Sequence, residues 1–482
     1  VAVACLSNFA PAASLLSGVS HVAPLPGSEF LRHLSTEVRN VPEDRTAAGV
    51  RQDWHAALAS LASWRDVFCR EFPPDVVCNL TPTIAARMLS LFVADGKPCA
   101  GFAVDEHGFG RNGDAWAGFM QGASLERGVS PFNVTDMFRM IALDSVNGRK
   151  SEKLPRGDAS LRPVDGGRQE IVRDLKDRLP RNCNGYVAFQ LGASVDRRRW
   201  PVELFAELGD ILWQEERLCP VLLGSRSEIS LAERYAGLAR QPHVSLCGRT
   251  GLEELAAVLG AAKLLVSNDT GTMHLAAGVG IPLLGIFLAT AQPFDTGPYI
   301  AGSCCMEADM DCHPCSFRTA CSFDNACRSR VRPDVVAAFA LSRLRTGSWY
   351  PEKMSPDMSG ARIWVSGYDD QGFMDLRSLS GHENDARTVW LGIQRHHIRR
   401  FLDRDREEEF KPGCVQRVPA LAEKERLDIT AALTRTGALI RLLLEQGNVL
   451  LSRPVPVMRQ RFLATWQKIY DSLRDNRNGR AL

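Results

Sequence analysis

No apolar run approaches the ~18 residues that a membrane-crossing helix needs, so the sequence predicts no transmembrane helix. Nor does the N-terminus carry a basic segment ahead of an apolar core and a small-residue cleavage site, so no signal peptide is expected. Net charge is nearly absent. The 58 Lys and Arg stand against 56 Asp and Glu, which leaves +2 and argues against a nucleic-acid partner held by a global basic field. Internal repeats and low-complexity tracts are missing too. With 45% hydrophobic and 24% charged residues, collagen-like, coiled-coil and disordered readings fall away.

What remains is an ordinary globular composition over 482 residues, enough for two to four domains. Cysteine is the one unusual count, at 14, and six of these fall between Cys304 and Cys327. A chain of this size does not need a disulfide scaffold. Most of the others sit among apolar residues and read as small buried hydrophobes.

Short apolar runs alternate with helical patterns along the first 150 residues. Strands are expected at Val1–Leu6, Asp75–Leu80 and Cys99–Val104, and helices near Pro11–Leu16, Thr81–Val93 and Phe132–Ala142. Such alternation points to a parallel sheet covered by helices. Ser151–Arg181 is polar and reads as an interdomain crossing. A clearer series follows, with strands at Tyr186–Leu191, Val221–Leu223, Val244–Cys247, Leu264–Ser267 and Leu283–Phe287 and a helix after each of the first four. In the helix Pro201–Glu215, Val202, Phe205, Leu208 and Leu212 recur at three- and four-residue spacing. This is a doubly wound domain, in which ligands sit beyond the carboxyl ends of the strands. A helix is expected at Pro333–Leu344. Gly360–Leu379 suggests a small hairpin, and helices rich in Arg follow. Residues 384–482 carry 19 basic and 12 acidic side chains, so this tail is positive while the rest is negative.

Three segments carry candidate chemistry. In Leu264–Phe287 a buried strand runs through Ser267-Asn268-Asp269-Thr270-Gly271 straight into a helix. That arrangement aims free N–H groups and the positive helix end at whatever lies above the strand. Thr270 is expected to cap the helix, Gly271 to let a phosphate approach, and His274 to reach the same mouth. A capped helix with a core histidine is the plainer alternative. In Gly192-Ala193-Ser194, followed by Arg197, Arg198 and Arg199, a small-residue turn leaves room for a diphosphate and guanidinium groups answer its charge. A solvated basic helix start would read the same way. Glu228, just past the strand Val221–Leu223, suits the two hydroxyls of a ribose, or simply complements a helix dipole.

Together GAS–(x)3–RRWP (192–201), LLG–(x)3–E (222–228), LCGRTGLEEL (246–255) and SNDTGTMHLAAGVGIP (267–282) occur in the order and spacing of a known family. Over Asn184–Leu344 the chain resembles glycosyltransferase family 9, the ADP-heptose:lipopolysaccharide heptosyltransferases. The first 150 residues resemble it weakly. The resemblance implies an α/β GT-B architecture of two Rossmann-like domains, residues 1–165 and 166–345, with 346–482 as a basic, mostly helical extension. It implies an ADP-sugar donor, probably of heptose, transferred with inversion to a lipid-linked glycan acceptor of lipopolysaccharide core type. The enzyme would be cytoplasmic, peripheral to the inner membrane, and free of any catalytic cofactor. By position, Ala193, Ser194 and Arg198 meet the phosphates, Arg198 replacing the family's lysine. Glu228 holds the ribose and Thr250 lies beside the nucleotide. Asp269, Thr270, Gly271 and His274 face the diphosphate and sugar. Thr272 stands where the family commonly has Pro.

The family's usual general base lies in a Gly-Asp segment of the first βα unit, which is not found here, so no catalytic base is named. A non-catalytic sugar-nucleotide-binding scaffold and a GT-B nucleotide-sugar epimerase are the competing expectations. Cys312, Cys315, Cys321 and Cys327 read C-x2-C-x5-C-x5-C. Four thiolates suffice for structural zinc or an iron–sulfur cluster, and disulfides or free thiols are the alternatives.

Overall fold

A computed structural model describes residues 1–27, 48–125, 130–147, 161–162, 169–317, 320–351, 357–403, 423–453 and 455–478. Most of the polar crossing expected at 151–181 lies outside these residues. The chain divides into two compact units, Val1–Ser380 and Gly381–Leu482.

The dominant element is an eight-stranded sheet. Its strands are β6 (Tyr186–Gln190), β7 (Cys219–Leu223), β8 (Val244–Ser245), β9 (Leu264–Asn268), β10 (Leu283–Phe287), β11 (Cys304–Ala308), β12 (Ala361–Tyr368) and β13 (Met374–Ser378). They lie in the order β13-β12-β11-β10-β9-β6-β7-β8. Strands β6 to β11 are mutually parallel. Numbered within themselves they run 3-2-1-4-5-6, the doubly wound dinucleotide-binding order, whose switch point falls between β6 and β9. The five strands expected from sequence are all present.

The parallel strands are rich in apolar residues because both faces of the sheet are covered. Val187, Phe189, Leu222, Val266, Leu284 and Ile286 point into one core, against Phe205, Leu208 and Leu212 of the helix Val202–Glu216 and Val336 and Phe339 of the helix Pro333–Thr346. Their neighbours Tyr186, Ala188, Val221, Leu223, Leu265 and Leu283 point into the other, against Leu175, Val258, Leu259, Met273 and Ala276. Each large apolar side chain so buried stabilises the fold by about 1.5–3 kcal/mol.

One strand of this sheet was not expected. β11 is the stretch Cys304-Cys305-Met306-Glu307-Ala308, buried at every residue. Beyond it, the hairpin suggested at 360–379 is β12–β13, and β12 pairs antiparallel with β11. Residues 361–378 therefore belong to the sheet, although they fall in the stretch expected to open the C-terminal extension.

The first region has two smaller sheets. β1 (Ala2–Leu6) pairs in parallel with β2 (His21–Leu25). β3 (Val77–Asn79) pairs in parallel with β4 (Cys99–Val104), and β5 (Gly110–Asn112) adds antiparallel. Helices Ala10–Leu15, Ala48–Glu71, Ile84–Ala94, Ala115–Leu125 and Val134–Asn147 accompany them. Asp136, wholly buried, joins this region to the large sheet. Its carboxylate accepts from Tyr299 Oη at 2.5 Å and from the backbone N–H of Met374 at 2.9 Å. Nearby, Asn133 Nδ2 donates to the carbonyl of Gly297 at 3.0 Å.

In the second unit, helices Glu423–Ser452 and Pro456–Asn478 pack on one another, and Ala386–Leu402 forms a further helix. Among the described residues no helix is long and apolar enough to cross a membrane.

Candidate functional site

The loops that leave β9, β6, β7 and β8 stand side by side at the carboxyl end of the sheet. With the first turn of the helix that follows β9, they carry the nine residues expected from sequence to meet the donor. The sheet order alone brings Ala193, Ser194 and Arg198 next to Asp269, Thr270, Gly271 and His274, across the switch point.

Asn268, the last residue of β9, organises that junction. It is wholly buried. Its Nδ2 donates to the carbonyls of Gln190, Leu191 and Gly192 at 3.3, 2.9 and 3.2 Å, and its Oδ1 accepts from the Trp200 backbone N–H at 2.8 Å. One side chain thus fixes both ends of the β6 loop. Trp200 is itself sealed in the core, edge-on to Phe205 and donating through Nε1 to the Val331 carbonyl at 2.8 Å.

Arg198 is nine-tenths buried, in a short 3-10 turn over Asp196–Arg198. Its Nε donates to Thr290 Oγ1 at 2.6 Å, and its Nη1 lies 3.6 Å from Asp269 Oδ2. The solvated basic helix start that the arginines suggested does not hold for this one.

The helix Gly271–Val279 begins directly above β9. A methyl group added at Gly271 would meet nothing within 4 Å, so the side-chain position of this first helical residue is open. Thr270 occupies the cap position, but its side chain makes no cap bond. The cap expected of Thr270 is therefore corrected: its hydroxyl lies 3.3 Å from Ser267 Oγ, and its carbonyl instead accepts from the Met273 N–H at 3.1 Å. Thr272, in place of the family's proline, donates through Oγ1 to Gln190 Oε1 at 2.9 Å and ties helix to β6.

His274 lies in the first turn of this helix, with part of its surface open to solvent. Burial pushes its pKa down, against the pull of the Asp269 carboxylate. The imidazole is then neutral at pH 7 and can donate one hydrogen bond and accept another.

Glu228 shows why two glycines flank it. A Cβ on Gly192 would sit 1.3 Å from Glu228 Oε1, and one on Gly224 would sit 3.1 Å from Oε2. The carboxylate lies in a notch between the β6 and β7 loops. Oε2 accepts from the backbone N–H and the hydroxyl of Ser225 at 2.6 and 2.9 Å. Thr250 closes the row, two residues before the helix Leu252–Ala261.

The cysteine-rich stretch adjoins this site. Cys327 is buried, Cys312 and Cys315 are half-buried and Cys321 is exposed, all as free thiols. Among the described residues no three His, Cys, Asp or Glu side chains gather closely enough to hold a metal ion. Burial pushes the Cys315 thiol up to about 11, helped by the three neighbouring thiols. Contacts with the site are direct: Arg328 pairs with Asp196 at 3.2 Å, and Arg197 donates to the Ser316 carbonyl at 3.4 Å.

The sequence profile of glycosyltransferase family 9 (heptosyltransferase) matches residues 164–326, which contain all four loops. Over this stretch the chain resembles the heptosyltransferases of glycosyltransferase family 9. Among curated proteins, lipopolysaccharide heptosyltransferase 1 of Pseudomonas aeruginosa is 31% identical over 134 residues, 28% of this chain and 37% of the relative. Lipopolysaccharide heptosyltransferase 2 of Salmonella typhimurium is 30% identical over 201 residues, 40% of this chain and 56% of the relative. The chain thus spans well under two thirds of these relatives. The solved ADP-heptose lipopolysaccharide heptosyltransferase II of Escherichia coli superposes with a TM-score of 0.48 at 20% identity, covering 71% of this chain and 88% of that one.

Asn268, Gln190 and Thr290 were not singled out from the sequence. Asn268 lies inside the SNDTG motif, and a buried amide at a strand end was its available signal. Thr290 had none, since its role depends on a tertiary contact with Arg198.

Proposed function

We propose that this domain binds an ADP-sugar, with heptose as the sugar, and that the protein transfers it with inversion to a lipid-linked glycan of lipopolysaccharide core type. The observation that carries this reading is the convergence of Arg198, Asp269 and the N-terminus of Gly271–Val279 at the switch point, beside the notched carboxylate of Glu228. Departure of ADP develops negative charge on the β-phosphate. A buried guanidinium and an uncapped helix end, already oriented, stabilise such charge without reorganising. They supply what a catalytic metal would otherwise supply. The ribose hydroxyls donate to Glu228, whose geometry leaves Oε1 towards Gly192. His274, uncharged, bonds to a sugar hydroxyl.

A cytoplasmic place on the inner membrane surface accompanies this reading, because the acceptor is lipid-linked. Residues 429–470 contain six basic residues and one acidic, and the hairpin they form exposes Leu433, Ile440, Leu444, Leu451 and Trp466. That combination suits an anionic lipid surface.

Calorimetric titration of ADP and UDP, beside Glu228→Ala, tests the donor half. ADP is expected to bind more tightly than UDP, and Glu228→Ala to weaken ADP about tenfold, ~1.4 kcal/mol. Absence of binding by either nucleotide would refute the reading.

A further inference from the structure

Arg198 is held by residues from two loops outside the four family motifs. Thr290 follows β10, one residue after Ala289, whose φ of +55° turns the chain sharply. Phe317 comes from the cysteine-rich stretch and lays its ring under the guanidinium, 5.1 Å from ring centre to Cζ. Phe317 is 45% exposed, so core packing does not explain an aromatic there. The two loops are joined: the Cys315 N–H donates to the Ala289 carbonyl at 2.8 Å. The stretch before Phe317 is also pinned from below. His313 Nε2 lies 3.0 Å from Glu307 Oε2 on β11, while Glu307 Oε1 accepts from Trp364 Nε1 of β12 at 3.1 Å. All three side chains are buried.

We propose that Thr290 and Phe317 are positioning residues for the donor's diphosphate, acting through Arg198. The inference rests on the donor-site reading given above. An arginine side chain has several freely rotating bonds, and a lysine's compact ammonium tolerates rotation better than a planar fork does. Substituting Arg for Lys at the phosphate position therefore demands that the plane be set. Thr290 takes Nε, which removes that donor and fixes one edge. Phe317 offers its negative ring face and fixes the plane. Asp269 lies beside the remaining Nη1 edge, so that edge is turned towards the switch point. The cysteine-rich stretch is then a working wall of the donor site, with Glu307, His313 and Trp364 as its footing.

The test compares Phe317→Ala, Phe317→Tyr, Thr290→Val and Thr290→Ser with the unsubstituted full chain and with Glu228→Ala. ADP is titrated by calorimetry and adenosine by its NMR shift. Phe317→Ala and Thr290→Val are expected to weaken ADP by about three- to tenfold, leaving adenosine binding unchanged. Phe317→Tyr and Thr290→Ser keep the ring and the hydroxyl and should restore the original ADP affinity. Equal weakening of ADP and adenosine would show a merely structural role and overturn the proposal. If ADP binds, Glu228→Ala weakens it, and the other four variants match the parent, this inference fails while the donor reading stands. If the parent chain binds neither ligand, both fail.

Discussion

The two α/β regions of the first unit differ in how they bury their strands. In the large sheet β6, β7, β9, β10 and β11 are buried at every residue. In the first region no strand is, and β5 is exposed throughout. Apolar side chains there stand in the open, among them Phe9, Ile84, Leu91 and Phe109. A strand covered on both faces holds its ends still, so the loops leaving it can carry groups at fixed separations. Eight of the nine residues expected to meet the donor follow β6, β7 or β9, and Thr250 follows β8, which is only partly buried at Ser245. The contrast teaches that the site's precision is inherited from the sheet beneath it.

The most severe way to break this contrast is Trp200→Ala, which empties the core behind the β6 loop. It should cost about 3–5 kcal/mol in denaturant unfolding, whereas Leu91→Ala, at an exposed position of the first region, should stay within ~0.5 kcal/mol. Comparable losses at the two positions would mean that burial does not separate the regions. Next comes Asn268→Ala. It leaves the Leu191 and Gly192 carbonyls and the Trp200 N–H without their buried partner and should cost about 2–3 kcal/mol. Unchanged stability would deny Asn268 its organising role.

Two glycines sharpen the comparison. Gly192→Ala forces Glu228 from its notch and should weaken ADP about tenfold or more, ~1.4 kcal/mol. Gly96, in the first region, has φ +81° with open space around it. Gly96→Ala should lower stability by about 1 kcal/mol and leave ADP affinity untouched. The smallest effect is that of pH. His274 has a folded pKa below its usual 6.5, so the unfolded chain takes up the proton more readily. Its contribution to stability is complete above that value and is lost as the pH falls through the folded pKa. In Asp269→Asn the opposing carboxylate charge is gone, and an NMR titration should find His274 lower still. A higher value would reverse the assignment of cause.

What the sequence made legible follows the same division. The five strands of the second series were readable because double burial demands continuous apolar runs, and glycines and prolines punctuate them. In the first region β1 and β4 were readable, but β2 and the helices Ala48–Glu71 and Ala115–Leu125 were not expected. β11 went unread because Cys304 and Cys305 drew attention as thiols, and because Glu307 interrupts the apolar run. Motif positions put the nine residues expected to meet the donor at adjacent strand ends, since the strand order follows from the doubly wound pattern. The bonding of Thr270 could not be foreseen. A threonine at a helix start ordinarily caps it, and Ser267 is a competitor visible only in three dimensions. The grip of Thr290 and Phe317 on Arg198 is likewise tertiary.

The hairpin β12–β13 bears on where the protein can be cut. A fragment ending at Thr346, the close of the last helix that packs on the sheet, would strip β11 of its antiparallel neighbour. A row of bare N–H and C=O groups on a largely apolar strand would then face solvent, ready to recruit another chain. The severed piece would also take Trp364 from Glu307, leaving a carboxylate in the interior short of one donor. A fragment carried on to Ser380 keeps that flank covered and ends where the first compact unit ends.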